Sequence, residues 1–363
     1  MSLPSQQKAL VLPAVGPGKT FELGTRAVPH PGPGQVLIRN EAVALNPVDW
    51  IIRNYGVFVS AHGWPAVVGN DGAGKIVALG SDVQGWAVGD TVLYQCFWSP
   101  DRGTFQEYTI ADAVRIARVP TNISVEEAAT VPLGLGTAAI ALYNAPSATC
   151  AGFTAPWEAD GAGKYVGQAA LVIGGSSSVG QYGKFIHPTS TTLSGFSPII
   201  TTASARNEVY CKKAGATHVI DYNAVPYSTL PDKVAEILDG APLIVAYDAI
   251  SLPDSQKAAW AALAPRGTLV VVLEPAVGGT PGTEAEQGKK MVRAYGMANE
   301  GENLEFSARM YSVIPSLLER GDLKPNKVEI LQGGLAGIPA GLERLEAKKV
   351  SGVKLVARVA ETL

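Results

Sequence analysis

The run AALVIGGSSSVG, Ala169 to Gly180, carries an apolar segment directly into glycines and serines. Ala169 to Ile173 is short and apolar and ends in β-branched Val172 and Ile173, which suits a central strand of a parallel sheet buried on both faces. Gly174 and Gly175 remove the side chains that would keep an anion off the backbone. Ser176, Ser177 and Ser178, followed by Val179, place hydroxyls beside the amides of a helix start. Gly180 would let that helix approach the strand closely. The chemistry this pattern suits is the holding of a diphosphate without a metal.

With 40 glycines in 363 residues, such a turn takes its meaning from the neighbouring strand. PIITT, Pro198 to Thr202, runs into Ala203, Ser204, Ala205, Arg206 and Asn207. A dinucleotide site that prefers NAD usually has Asp or Glu at this strand end for the ribose hydroxyls. No carboxylate stands here. Ser204 and Asn207 can donate to a 2′-phosphate and Arg206 can neutralise it, with Lys212 and Lys213 further on. NADPH is therefore the predicted cofactor. The competing reading of Arg206 and the lysines is solvated surface charge.

The scaffold around these residues is legible in the pattern of the whole chain. Its length suggests two domains, and an apolar fraction of 47% without a run long enough for a bilayer predicts a globular, non-membrane protein. A net charge of −3, with basic residues scattered among acids, gives no field for nucleic acid. Met1 to Lys8 is polar and lacks the apolar core of a secretory signal, so cytoplasmic is the expected location. Cys96, Cys150 and Cys211 are widely spaced and odd in number, which reads as free thiols. His30, His62, His187 and His218 are not at ligand spacing.

From Lys8 to about Leu133 the chain reads as strands broken by Gly and Pro, with VLIRNEAVAL (Val36 to Leu45) the clearest and HPGPG (His30 to Gly34) a turn before it. GTAAIALYNA (Gly136 to Ala145) has the apolar density of a helix, and Pro146 to Gly167 reads as a surface excursion. After the phosphate turn come PIITT, a helix near Glu208 to Ala214, HVIDY (His218 to Tyr222), a helix near Asp232 to Leu238, LIVAYDAI (Leu243 to Ile250), a helix at Ser255 to Ala264, and GTLVVVL (Gly267 to Leu273). That alternation implies an α/β fold with a doubly wound parallel sheet. The tail reads as a helix near Phe306 to Arg320, KVEIL (Lys327 to Leu331), a helix through Ile338 to Lys348 and KLVARV (Lys354 to Val359), a returning strand.

Several segments carry a wider resemblance. ALNPVDW (Ala44 to Trp50), VGNDGAGKIVALGSDVQGWAVGDTV (Val68 to Val92), GTFQEY (Gly103 to Tyr108), EEAATVPLGLGTAAIAL (Glu126 to Leu142), the phosphate turn, KKAGATHVIDY (Lys212 to Tyr222) and LERLEAKKVSGVKLV (Leu342 to Val356) occur in this order. Together they resemble the medium-chain dehydrogenase/reductase superfamily over nearly the whole chain. In its zinc enzymes a ligand Cys and a Gly-His-Glu segment occupy places that here hold Asn46 to Asp49 and Gly69, Asn70 and Asp71, and no four-Cys lobe exists. The resemblance is thus to the zinc-free branch, and most to the fungal enoyl-reductase-like group, which is related to quinone oxidoreductases and includes trans-acting partners of polyketide synthases.

That resemblance implies a Rossmann NADPH-binding domain over 134–304 and a mostly β GroES-like catalytic domain over 1–133 and 305–363. It implies hydride transfer without metal to an activated C=C of an enoyl thioester, enone or similar conjugated carbonyl. NADPH quinone reduction is the nearest alternative, and a non-catalytic NADPH-binding partner or sensor is the alternative of another class. It places Asn46 and Asp49 in the cleft near the nicotinamide, Pro47 and Thr137 beside the cofactor, and Gly174 to Val179 on the diphosphate. Ser204, Arg206, Asn207 and Tyr222 then serve the adenosine end, Leu273 the nicotinamide ribose, and Lys354 reaches in from the tail. An Asx turn around Pro47 is the other reading of Asn46 and Asp49. Tyr55 is a candidate proton donor, with packing as its alternative. Ile51 stands where some polyketide-associated reductases have a lysine. Monomer and homodimer both occur in this branch. One departure is Gln181 to Gly195, where Pro188 should bend or end the helix and the distance from Gly174 to Ser204 exceeds the usual interval of about twenty residues.

Overall fold

The computed structural model describes residues 3–16, 18–59, 63–97, 99–183 and 194–363. Pro188 and its expected bend, together with His62 and His187, lie outside the described residues. The chain divides into two compact units, Met1–Leu133 with Met297–Leu363, and Gly134–Gly296. The return to the first unit thus comes at Met297 rather than at 305.

The first unit is mostly β. Strands β1 (Gln6–Leu12), β2 (Glu22–Ala27) and β4 (Ala66–Val67) form a small antiparallel sheet. A seven-stranded sheet contains β3 (Gln35–Ala44), β5 (Asp71–Leu79), β6 (Thr91–Gln95), β7 (Tyr108–Asp112), β8 (Ile116–Arg118), β15 (Val328–Leu331) and β16 (Lys354–Arg358). Its path runs β15-β16-β3-β5-β6-β8, with β7 also on β3, so the tail supplies strands to a sheet begun by the N-terminal part. Close approach there requires glycine: a Cβ on Gly74 of β5 would lie 2.0 Å from the Arg39 carbonyl oxygen of β3. Helix α1 (Pro47–Tyr55) follows β3 directly, with Pro at its first turn and Gly56 (φ 68°) closing it in the left-handed region.

In the second unit, β9 (Ala169–Ile173), β10 (Ile199–Ala203), β11 (His218–Asp221), β12 (Leu243–Asp248), β13 (Thr268–Val271) and β14 (Lys290–Arg293) form one sheet in the order β11-β10-β9-β12-β13-β14. Every pairing is parallel. Every residue of β9 and β10 is buried, as strands covered on both faces must be. Helices α5 (Glu208–Lys213), α6 (Leu230–Leu238) and α7 (Pro253–Ala262) alternate with the strands in the doubly wound α/β pattern. Register pairs Ile173 with both Thr202 and Asp248, and Ala203 with Asp221. Residues 174, 204, 222 and 249 consequently follow their strands at one carboxyl edge, where such sheets bind ligands.

The 144–168 excursion is a series of turns held by aromatic contact: Tyr165 stacks on Phe196 at 4.5 Å and meets Phe153 edge-on at 5.3 Å. One expectation needs correction. The stretch Val125–Tyr143, which contains α2 (Val125–Ala128) and α3 (Pro132–Tyr143), is long and apolar enough by composition to cross a membrane. It is 72% buried inside the protein, as the core helix of a globular fold is.

Candidate active site

In the second unit, the phosphate turn is shaped by close approach. Gly174 has φ +78°, and a Cβ on it would lie 2.6 Å from Ile250 Cδ1; a Cβ on Gly180 would lie 2.2 Å from the Gly174 carbonyl oxygen. Both spaces exist only because the residues are glycine. The Gly174 and Gly175 amides donate to Thr202 Oγ1 (3.0 Å) and Thr202 O (2.9 Å), which binds the turn to β10. Ser177 is also used internally: its amide donates to Gly174 O at 2.9 Å and its Oγ accepts from the Gly180 amide at 3.0 Å. Ser176, Ser178 and Val179 are half-buried at the opening of α4 (Ser178–Gly183).

Past β10, Ser204 is 8% exposed. Asn207 Nδ2 donates to its Oγ at 3.2 Å and the Asn207 amide donates to its carbonyl at 2.8 Å, which leaves the hydroxyl proton of Ser204 to be donated elsewhere. Arg206 is exposed, and Lys212 is drawn to Glu208 at 2.7 Å. Tyr222 and Leu273 stand exposed just beyond β11 and β13. Thr137 is half-buried: its carbonyl accepts from Tyr247 Oη at 3.0 Å, and a Cβ on Gly296 would lie 2.3 Å from its Oγ1. Glycine cradle and strand-end donors together fit a dinucleotide carrying a 2′-phosphate.

The first unit contains a buried polar cluster. Asn46 precedes α1, and its side chain reaches away from the helix: Nδ2 donates to Asp71 Oδ2 at 2.8 Å and Oδ1 accepts from Lys354 Nζ at 2.5 Å. Lys354 Nζ also lies 2.9 Å from Asp71 Oδ2, with both side chains at most 3% exposed. The second Asp71 oxygen accepts from the Leu133 amide at 2.6 Å. Asp49, three residues into α1, accepts from the Asn46 amide at 2.7 Å and from Asn70 Nδ2 at 2.8 Å. The Asn46 side chain thus makes long-range contacts while Asn46 and Asp49 also form a capping box at the start of α1, and Pro47 is exposed. Tyr55 stands apart at the far end of α1, 68% exposed.

Sequence reading missed Asn70 and Asp71, which sit in a Gly-rich run that looks like turn chemistry, and Thr202, which carries no motif. Lys354 was expected at a cofactor; here it is bound to Asn46 and Asp71. Among the described residues, no group of three or more His, Cys, Asp or Glu side chains is placed to hold a metal ion.

Comparison with known proteins bears on this arrangement. Residues 32–121 match the alcohol dehydrogenase GroES-like domain family. The chain is 30% identical to the trans-enoyl reductase thnE of Trichoderma harzianum, over 99% of this chain and 98% of that protein. The chain belongs to the medium-chain dehydrogenase/reductase superfamily, in its enoyl-reductase-like group. It is also 32% identical to the enoyl reductase component lovC of lovastatin nonaketide synthase from Aspergillus terreus, over 90% of this chain and 89% of that protein. In fold, this enoyl-reductase-like chain is similar to the quinone oxidoreductase of Coxiella burnetii (TM-score 0.73, 24% identity, 98% of this chain and 99% of that one).

Burial pushes the Asp49 carboxyl from 3.8 up to about 7, against the hydrogen bonds from Asn46 and Asn70 that favour its ionised form. The folded state keeps that proton up to about pH 7 and the unfolded chain only to about 3.8, so stability should fall as pH rises between those values. Asp49→Asn should flatten this decline in denaturant midpoint, and an unchanged slope would refute the assignment. Lys354→Met leaves Asp71 buried without its cation and should destabilise by about 3–5 kcal/mol. Adding Asp71→Asn should recover part of that loss, as urea unfolding of both variants would show.

Proposed function

We propose that this protein is an NADPH-dependent reductase of activated carbon–carbon double bonds, acting on enoyl thioesters or similar conjugated carbonyls. The observation that carries the reading is the glycine-built phosphate turn with Ser204 at the neighbouring strand end, in a chain whose full-length relatives are named trans-enoyl reductases. The name of the Aspergillus terreus relative supports a narrower acceptor, an acyl thioester carried by a polyketide synthase.

NADPH, when bound, supplies the hydride. Gly174 and Gly180 let the turn pack closely on Ile250 and on its own backbone, and Ser176, Ser178 and Val179 at the helix start would hold the diphosphate. Ser204, oriented by Asn207, would donate to the 2′-phosphate, Arg206 would add charge there, Tyr222 would serve the adenosine end, and Leu273 the nicotinamide ribose. The Lys354 ammonium carries three N–H donors, of which Asn46 and Asp71 accept two. The acceptor's carbonyl oxygen would gain negative charge as its conjugated double bond is reduced, which calls for a hydrogen-bond donor at that oxygen. The α-carbon then takes its proton from solvent. Asn46 and Asp49 fix where that ammonium stands.

Steady-state NADPH oxidation against matched enoyl thioesters, enones and quinones tests the reaction class. Turnover of the thioesters or enones is expected, and activity confined to quinones would overturn the proposal. Ser204→Asp places a carboxylate where the 2′-phosphate is bound and should lower the preference for NADPH over NADH by tenfold or more, equivalent to about 1.4 kcal/mol. An unchanged preference would place the phosphate elsewhere.

A further inference from the structure

The exit of β12 holds polar groups that the proposed reaction does not use. Asp248 ends the strand, 0% exposed, and both its carboxyl oxygens are engaged: Oδ1 accepts from the Ile250 amide (3.0 Å) and the Ser251 amide (2.7 Å), and Oδ2 accepts from Ser255 Oγ (2.6 Å). Ser251, 3% exposed, has φ +53°, a left-handed conformation that a non-glycine residue keeps only when its surroundings impose it. Those surroundings are explicit. Ser251 Oγ donates to Asp248 O at 2.6 Å and accepts from the Val272 amide at 2.8 Å. Buried Gln256 donates from Nε2 to Ser251 O (3.0 Å) and Glu274 O (2.9 Å), and its Oε1 accepts from the Ala276 amide (2.7 Å).

This wiring has two consequences. The turn after β12 is bonded to the segment after β13, so the two strand exits hold one fixed arrangement. The turn also sets Ile250, whose side chain fills the space over Gly174. The sheet order changes direction between β9 and β12, and a crevice at that switch is where a dinucleotide lies. A simple surface turn would need neither a strained serine nor three further buried polar side chains; a fully satisfied network makes the backbone rigid where it borders a ligand.

We propose that Asp248, Ser251 and Gln256 are positioning residues for the dinucleotide, holding Ile250 against the phosphate turn and locking the exits of β12 and β13 together on the side away from the 2′-phosphate. This rests on the proposed NADPH site. Because the cluster is remote from Ser204 in the strand order, it affects NADPH and NADH alike.

The test is direct titration of purified wild type, Gln256→Met and Ser251→Gly with NADPH and with NADH, followed by nucleotide fluorescence, with folding checked by near-ultraviolet circular dichroism. Ser251→Gly suits the positive φ and removes the hydroxyl together with its methylene, so it carries the test if Gln256→Met fails to fold. Both cofactors should bind about tenfold more weakly to the folded variants with the NADPH to NADH ratio unchanged. Wild-type affinity in a folded variant, or a change in the ratio alone, would overturn the inference. A wild-type chain that binds neither nucleotide would instead overturn the underlying cofactor reading, and this inference with it.

Discussion

The first unit depends on one buried charge. Asp71 stands at the start of β5 with no exposure to solvent, and an ionised carboxylate there is tolerable only with a cation and hydrogen bonds around it. Lys354 from β16 supplies the cation, Asn46 from the start of α1 one hydrogen bond, and the Leu133 amide another. Four segments distant in sequence therefore meet at one carboxyl group. The orientation of Asn46 and the position of the Lys354 ammonium are consequences of that meeting, as is the anchoring of the tail in the large sheet.

The second unit is organised on another principle. Its site is made by backbones brought close together, with Thr202 bonding the first two glycine amides of the turn and Gly180 admitting the helix to the strand. Polar side chains also stand at the strand exits, Ser204 after β10 and Asp248 at the end of β12. Charge placed by long-range pairing organises one unit, and room made by missing side chains organises the other.

These two principles differ in how far they can be read from sequence. The buried strands β9, β10, β12 and β13 are apolar or β-branched runs between turn residues, so their existence and parallel order were legible. So was the glycine cradle, since a turn built from missing side chains announces itself locally. β14 was not foreseen, because Lys290 and Arg293 bracket only Met291 and Val292 and leave no apolar run. Asp71 looked like a turn residue because it stands between Asn70 and Gly72; nothing local points to Lys354 as its partner. The early return at Met297 escaped for the same reason. It is made by the Ala298 amide on Gln95 Oε1 (3.0 Å) and by Asn299 on the Cys96 carbonyl (3.1 Å), contacts that no periodicity reveals. Tyr55 shows the converse: a residue type suited to proton transfer, which the helix carries away from the buried cluster.

The tail's contribution of β15 and β16 also bears on how the chain is made. Gly134–Gly296 is continuous, so all of its strands are synthesised before β15 and β16 of the tail. The N-terminal part emerges earlier still, yet it has an unneutralised Asp71 and an open edge on β3 until Lys354 and its strand arrive. The segment synthesised first is thus the one completed last, and the middle of the protein is made while its two ends wait for each other.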